Sequence, residues 1–217
     1  MNYIVMLLRK NKNIIPIIGM YISLYIVLIF YMLNIDSNNI YYILTLDKYI
    51  FYIFHGFFFI LTNYTIINNA LKKEAVVRIG RNNCAFILLN TGIFYSVFFS
   101  LISNSILLFI LNIEGIQIEL TKALYTILYM TLYCTLLYSI ITIIYIKNQI
   151  VSIIIANIIN ILPIIVNIVF SNLLIYKFIN IDIYYSNIYS SFIVISILII
   201  INSTVSYIEF RKCDYII

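Results

Sequence analysis

Long unbroken apolar segments constrain this sequence more than any other feature. Segments 14–33 and 150–174 each run for their whole length without a charged side chain. A helix of about 20 apolar residues crosses the hydrocarbon of a bilayer and satisfies its own backbone hydrogen bonds there. Strands of a membrane barrel would alternate polar and apolar residues instead. The pattern therefore predicts an all-α integral membrane protein.

Composition excludes a soluble domain beside the apolar segments. The chain is 64% hydrophobic and 10% charged, whereas soluble domains carry about 25% charged residues. The apolar surface that such a composition creates could not be hidden in a soluble core of this size. We therefore treat residues 1–217 as one transmembrane domain.

Hydropathy and charge together predict how the helices are arranged in the membrane. Apolar windows predict six transmembrane helices, at about 14–33, 49–69, 85–111, 121–146, 150–174 and 188–208. The connecting loops are short, so excess Lys and Arg should lie in the cytoplasm. This rule places both termini inside, with three basic residues outside (Lys48, Lys122 and Lys177) and ten inside (Arg9, Lys10, Lys12, Lys72, Lys73, Arg78, Arg81, Lys147, Arg211 and Lys212).

Most catalytic and cofactor motifs are missing from the sequence. It contains no GxxxxGK[ST], GxGxxG or HExxH pattern, and its acidic residues fall at or outside the ends of the predicted spans. We predict no metal site, no cofactor held by this chain and no nucleic-acid partner. Its single histidine, His55, lies in the run FHGFFF. A lone histidine on a helix is more often a packed residue than a catalyst, which needs a positioned partner.

The loop between the second and third predicted spans carries a compact charged pattern. Its sequence is EAVVRIGRNN at 74–83. Glu74 and Arg78 have the i, i+4 spacing of a helical ion pair, and Gly80 is a natural helix stop. Two interpretations are open. The loop could be a basic segment that sets topology and contacts anionic headgroups, or it could dock a partner protein.

Three segments together resemble a known family. They are V-R-I-G-R-N-N in the loop, the basic segment LLRKNKN before the first span, and the ending YIEFRKCDYII. With the chain length and six predicted spans, they resemble the permease subunits of type-2 ABC transporters. The likeness is to the small six-span permeases associated with peptide-antibiotic export or immunity. Asn82 and Asn83 depart from that family's loop, where Ser, basic and aromatic residues are commoner.

The resemblance implies a partner ATPase and residues that contact it. It places Glu74, Arg78, Gly80 and Arg81 on a coupling helix, with Arg9 and Lys10 as a second contact. ATP and Mg would be bound by that separate ABC ATPase subunit. A second permease chain, identical or a sister subunit, would complete a multi-pass transporter in the lipid of the bacterial cytoplasmic membrane. The cargo would be a peptide or a lipid-like hydrophobic molecule.

Polar residues inside the spans form a second group of candidates. A stripe on the fifth span contains Asn157, Asn160, Asn167 and Ser171, and Pro163 lies among them in the sequence. A cluster toward the cytoplasmic end of the second span contains Thr62, Asn63, Asn68 and Asn69. They could make helix–helix hydrogen bonds worth about 0.6–2 kcal/mol each. Alternatively, they could line a substrate path or a dimer seam. We also expect Pro163 to kink or loosen its helix.

Two further functions remain open at the level of sequence. The chain could be a standalone membrane protein for immunity or scaffolding, without an ATPase. It could also be an intramembrane enzyme that uses His55. Tyrosines near the predicted outer edge are expected to anchor at the membrane interface; they are Tyr41, Tyr42, Tyr184, Tyr185 and Tyr189.

Overall fold

The part of the protein that the structure describes is almost entirely helical and contains no β-strand. A computed structural model describes residues 14–35, 40–46, 50–70, 81–169 and 188–212. Its elements in chain order are α1 (Ile14–Leu33), α2 (Ile40–Leu46), a π-helical segment (Ile50–Gly56), α3 (Phe57–Ala70), α4 (Arg81–Ile113), α5 (Leu120–Lys147), α6 (Gln149–Val169) and α7 (Ile188–Lys212). The predicted helical class is confirmed.

Four of the helical stretches in these ranges are long and apolar enough to cross a membrane. They are Ile14–Leu33, Ile50–Asn68, Phe86–Ile113 and Leu120–Ile146. Helices α6 and α7 contain shorter apolar stretches, Gln149–Leu162 and Ile195–Glu209. Length and composition therefore make this a helical membrane protein. The count of six spans stays a prediction.

Two helices extend beyond the boundaries predicted from hydropathy. Helix α4 begins at Arg81 instead of near 85, and α7 continues to Lys212 instead of ending near 208. A helix does not need apolar side chains once it leaves the hydrocarbon, so hydropathy underestimates its length. The second predicted span differs in kind, because it begins as a seven-residue π-helix at Ile50–Gly56.

Helix α5 lies at the centre of the packing. It contacts α3, α4, α6 and α7, and 56% of its apolar window is buried, against 22% for α1. One apolar cluster surrounds its middle, with Tyr133, Leu137 and Tyr138 among the members. A second cluster joins one end of α1 to α2 and α4, around Tyr25 and Leu44.

The turn after α4 is closed by glycine. Gly115 has φ +74°, a left-handed conformation that glycine adopts without a Cβ penalty. The Ile116 N–H donates to the Leu111 carbonyl at 2.9 Å and the Gly115 N–H to the Asn112 carbonyl at 3.2 Å. This pair of bonds is a Schellman ending, and Ile116 packs into the same apolar cluster as Leu111.

One residue separates α5 from α6. Asn148 ends α5 in an extended conformation, with φ −156° and ψ 119°. Its side-chain Oδ1 then accepts from the N–H groups of Ile150 at 3.1 Å and Val151 at 3.2 Å. This arrangement is an asparagine N-cap for α6. The tight turn places α5 and α6 side by side, which matters for the site described next.

Proline does not interrupt either helix in which the structure places it. Pro16 lies in the first turn of α1, where a missing N–H costs little. Pro163 lies inside α6, which remains α-helical from Gln149 to Val169. A helix can continue through proline when its surroundings satisfy the freed carbonyl group. The kink or loosening expected at Pro163 stays a prediction, and its side chain lies outside the described part.

Candidate functional site

Asn160 joins three helical elements at a buried position. The Tyr133 hydroxyl of α5 donates to Asn160 Oδ1 at 2.9 Å. The Asn160 Nδ2 donates to the backbone carbonyl of Tyr52 in the π segment. Only 1% of the Asn160 side chain is exposed. The carboxamide thus uses one acceptor and one donor to connect α6 with α5 and with the start of the second predicted span.

The close approach at Asn160 depends on Gly56, the last residue of the π segment. A Cβ added at Gly56 would collide with the Asn160 carboxamide. Glycine therefore lets the backbone lie directly against that side chain. A π-helix is rare and is often found at functional positions. Here the side chain of Asn160 donates to a carbonyl within it, which stabilises this local geometry.

A groove opens next to this contact, between the second predicted span and α6. Its volume is about 360 Å³. Four apolar residues of the π segment and α3 face three residues of α6 across it; the lining is Ile53, Phe54, Phe57 and Phe58 against Asn157, Asn160 and Ile161. None of these described lining residues is charged. The structure therefore brings two predicted stripe residues, Asn157 and Asn160, to one apolar groove.

Asn157 differs from Asn160 in its bonding. Its Nδ2 donates to the carbonyl of Ile153, one turn back on the same helix, at 2.9 Å. Its Oδ1 has no partner within the described part of the chain, and the side chain is half-buried. Asn157 thus does not connect helices. It keeps hydrogen-bonding capacity beside the groove.

The asparagines predicted on the second span lie away from this groove and make local or interhelical bonds. Asn63 is fully buried, and its Nδ2 donates to the Phe59 carbonyl at 2.7 Å, while its Oδ1 has no partner among the described residues. Asn68 Oδ1 accepts from the Tyr145 hydroxyl of α5 at 2.8 Å. The Asn68 bond is the helix–helix contact that the sequence interpretation allowed.

The remaining predicted residues cannot be placed in a site. The side chain of Asn167 lies outside the described part, although its backbone belongs to α6. Among the predicted ATPase contacts, Arg81 begins α4 but its side chain is not described. The other five lie outside the described residues: Arg9, Lys10, Glu74, Arg78 and Gly80.

His55 lies at the centre of a second buried polar cluster. Its Nε2 lies 3.1 Å from the Leu44 carbonyl, which can only accept, so Nε2 carries the proton in the neutral ring. Its Nδ1 then accepts from the Tyr21 hydroxyl at 2.8 Å. Tyr21 also contacts the Ser103 hydroxyl. His55 is thus a packed, hydrogen-bonded residue that joins α1, α2 and α4 to the π segment.

Tyr41 corrects one expectation from the sequence. It was expected to anchor at the membrane interface, but only 7% of it is exposed and its hydroxyl contacts Thr126 of α5. Burial raises the pKa of this phenol above its ordinary value, although the Thr126 contact opposes the shift. Tyr41 therefore remains a neutral hydroxyl that holds α2 against the bundle.

Sequence reasoning missed the residues that make the Asn160 site specific. Tyr133, Gly56 and the Tyr52 carbonyl carry no motif, and Tyr is abundant enough in this chain to be uninformative one residue at a time. The one available signal is Gly56, since a lone glycine within an aromatic run suggests a close approach. The sequence identifies Asn160 as a stripe residue, but it does not show that Asn160 lies against Gly56.

Groups of three or more His, Cys, Asp or Glu that could hold a metal ion are absent from the described ranges. Comparison with known proteins found no matching family model, no matching curated protein and no matching solved structure.

Proposed function

We propose that this chain is the permease subunit of an ATP-driven exporter of a peptide or lipid-like hydrophobic molecule. The single observation that carries the proposal is the apolar groove between the second predicted span and α6. Its described lining is uncharged and includes the amides of Asn157 and Asn160. In the permeases that the sequence resembles, the second and fifth spans border the central path.

The buried polar groups favour a neutral or apolar cargo. Apart from His55, those in the described ranges are hydroxyls and carboxamides, and none belongs to Asp, Glu, Lys or Arg. A pathway for ions or protons inside a membrane normally uses ionisable side chains. An uncharged interior suits a substrate whose surface is itself largely apolar.

The proposal includes an arrangement in the membrane and a set of partners. The chain would cross the bacterial cytoplasmic membrane six times with both termini inside. A separate ABC ATPase, which binds ATP and Mg, would contact the 70–84 loop and the N-terminal segment. A second permease chain would complete the path. The basic pattern R-I-G-R at 78–81 supports a docking role for that loop.

Co-purification tests the proposal directly. A tagged chain is extracted from its native host in mild detergent, and bound proteins are identified by mass spectrometry. We expect an ATPase with a GxxxxGK[ST] motif to be recovered with the unaltered chain. The double variant Arg78→Glu with Arg81→Glu should abolish recovery of the ATPase. It would present two negative charges, in place of two positive ones, to the ATPase surface that binds the loop.

The control variant also replaces two basic residues by Glu, but on the side of the membrane that is predicted to be outside. Lys48→Glu with Lys122→Glu should leave ATPase recovery unchanged. The Lys122 side chain is exposed, and among the described residues its ion pair is with Glu119, at 3.3 Å, so its loss should not disturb folding. Recovery of the chain alone, before any substitution, would instead favour a standalone immunity or scaffold protein.

A further inference from the structure

We propose that the groove between the π segment, α3 and α6 binds a membrane lipid, with an acyl chain in the groove and an uncharged carbonyl at Asn157. The inference deepens the proposed function and rests on it for the idea that the groove belongs to a transport path. It names the class of molecule that this surface accepts.

The shape and position of the groove fit a lipid chain. Its volume of about 360 Å³ lies within the range of about 300–1,000 Å³ that is usual for ligand pockets. It is open at the surface, where Ile53 is 52%, Phe57 42% and Ile161 38% exposed. Both walls belong to apolar helical stretches, Ile50–Asn68 and Gln149–Leu162. In a bilayer such a surface meets acyl chains.

Charge complementarity excludes a charged occupant at this position. The described lining residues are Ile, Phe and Asn, with no basic or acidic side chain. A charged headgroup placed among them would lose its hydration without gaining a counter-charge. The part of the lipid in the groove must therefore be the uncharged part.

Asn157 supplies one unused recognition group. Its Nδ2 uses one N–H on the Ile153 carbonyl, which leaves a second N–H and the Oδ1 atom. Asn160, in contrast, is bonded through both ends of its carboxamide, to Tyr133 and to the Tyr52 carbonyl. A pure hydrocarbon would leave the second N–H of Asn157 without an acceptor, whereas an ester carbonyl accepts from it.

Photolabelling in a defined bilayer tests this site. The whole chain is reconstituted in nanodiscs of phosphatidylethanolamine and phosphatidylglycerol that contain a phosphatidylcholine with a diazirine on its acyl chain. After irradiation, labelled peptides are quantified by mass spectrometry. We expect labelling of the groove residues to exceed, severalfold, that of the α7 surface around Leu198, which is 39% exposed.

Two substitutions then separate a site from general lipid contact. Ile161→Trp fills the groove, and it should lower groove labelling severalfold. Leu198→Trp alters an equally exposed aliphatic residue on α7 and should leave groove labelling unchanged. Asn157→Leu keeps the groove apolar but removes the amide, and it should lower labelling less than Ile161→Trp does.

Equal labelling of the two surfaces would overturn the proposal, as would groove labelling that persists in Ile161→Trp. Lipid labels found only on parts of the chain outside the groove would also overturn it. The assay needs no ATPase, so its outcome is separate from that of co-purification. If the groove is labelled but no ATPase is recovered with the chain, the lipid-site proposal stands and the exporter proposal fails.

Discussion

At the scale of single residues, two asparagines that look equivalent in the sequence differ in their hydrogen bonding in the structure. Asn157 and Asn160 lie one turn apart on α6 and both face the groove. Asn160 connects Tyr133 of α5 to the Tyr52 carbonyl, whereas the bond that Asn157 makes within the described ranges is to its own helix. The first is a structural link between elements, and the second is available to a ligand.

Replacement of each asparagine by alanine should show this difference in stability. Asn160→Ala leaves the Tyr133 hydroxyl and the Tyr52 carbonyl without this partner. We expect it to lower the free energy of unfolding by about 1–2 kcal/mol, the upper part of the range for hydrogen bonds between membrane helices. The measurement is unfolding of the detergent-solubilised protein by titration with sodium dodecyl sulfate.

Asn157→Ala is the matched control for that experiment. Its lost bond is local, so its effect should stay within about 0.5 kcal/mol. Equal losses for the two variants would contradict a linking role for Asn160.

At the scale of elements, close helix contacts depend on glycine. Gly56 allows the π segment to lie against Asn160, and Gly92 allows α4 to lie against the ring of Tyr138 on α5. The Tyr138 hydroxyl also donates to the Leu88 carbonyl of α4, at 2.8 Å. The ring is held in place by this bond, so it cannot easily make room for a Cβ at Gly92.

A substitution pair on two membrane helices tests this contact. Gly92→Ala would force the Tyr138 ring to move, and overpacking of this kind costs about 1–3 kcal/mol. A Cβ at Gly19 on α1 meets no atom of the described residues within 4 Å, and alanine is the better helix former by about 0.5–1 kcal/mol. Thermal unfolding in detergent should therefore show opposite shifts for the two variants.

The same assay checks whether Tyr138 is the cause. Tyr138→Leu combined with Gly92→Ala should lose less stability than the sum of the single changes. Additive losses would mean that the cost at Gly92 arises elsewhere.

At the scale of the whole molecule, the described residues form an interior without Asp, Glu, Lys or Arg side chains, and many large apolar side chains are exposed around it. Charged side chains that the structure describes as exposed, Glu114, Glu119 and Lys122, lie in or beside the connection between α4 and α5. The next connection, at Asn148, is also exposed. In the proposed topology these two connections lie on opposite sides of the membrane.

Cysteine labelling tests that topology. The native residues Cys84, Cys134 and Cys213 are first replaced, and a single cysteine is introduced as Glu114→Cys or Gln149→Cys. A membrane-impermeant maleimide added to intact cells should label the first variant only. It should label the second after the membrane is permeabilised. The reverse pattern would place both termini outside and contradict the charge rule on which the topology rests.

The sequence by itself determined that this protein is a helical membrane protein. It also located the long apolar helices to within a few residues, since α1 begins and ends where hydropathy places it. These properties are local, because a run of apolar residues and its backbone hydrogen bonds need no information about neighbouring helices. The same local logic identified the stripe that contains Asn157 and Asn160.

Tertiary structure alone decided which of those side chains act together. The close approach of Gly56 in the π segment to Asn160, the contact of Asn160 with Tyr133 and the burial of Tyr41 each depend on residues distant in sequence. Side-chain hydrogen bonds and close packing depend on the distance between two helices, and the hydropathy of a segment contains no information about that distance. The groove, with the partly unused amide of Asn157 beside it, therefore forms only when α6 is placed against the π segment.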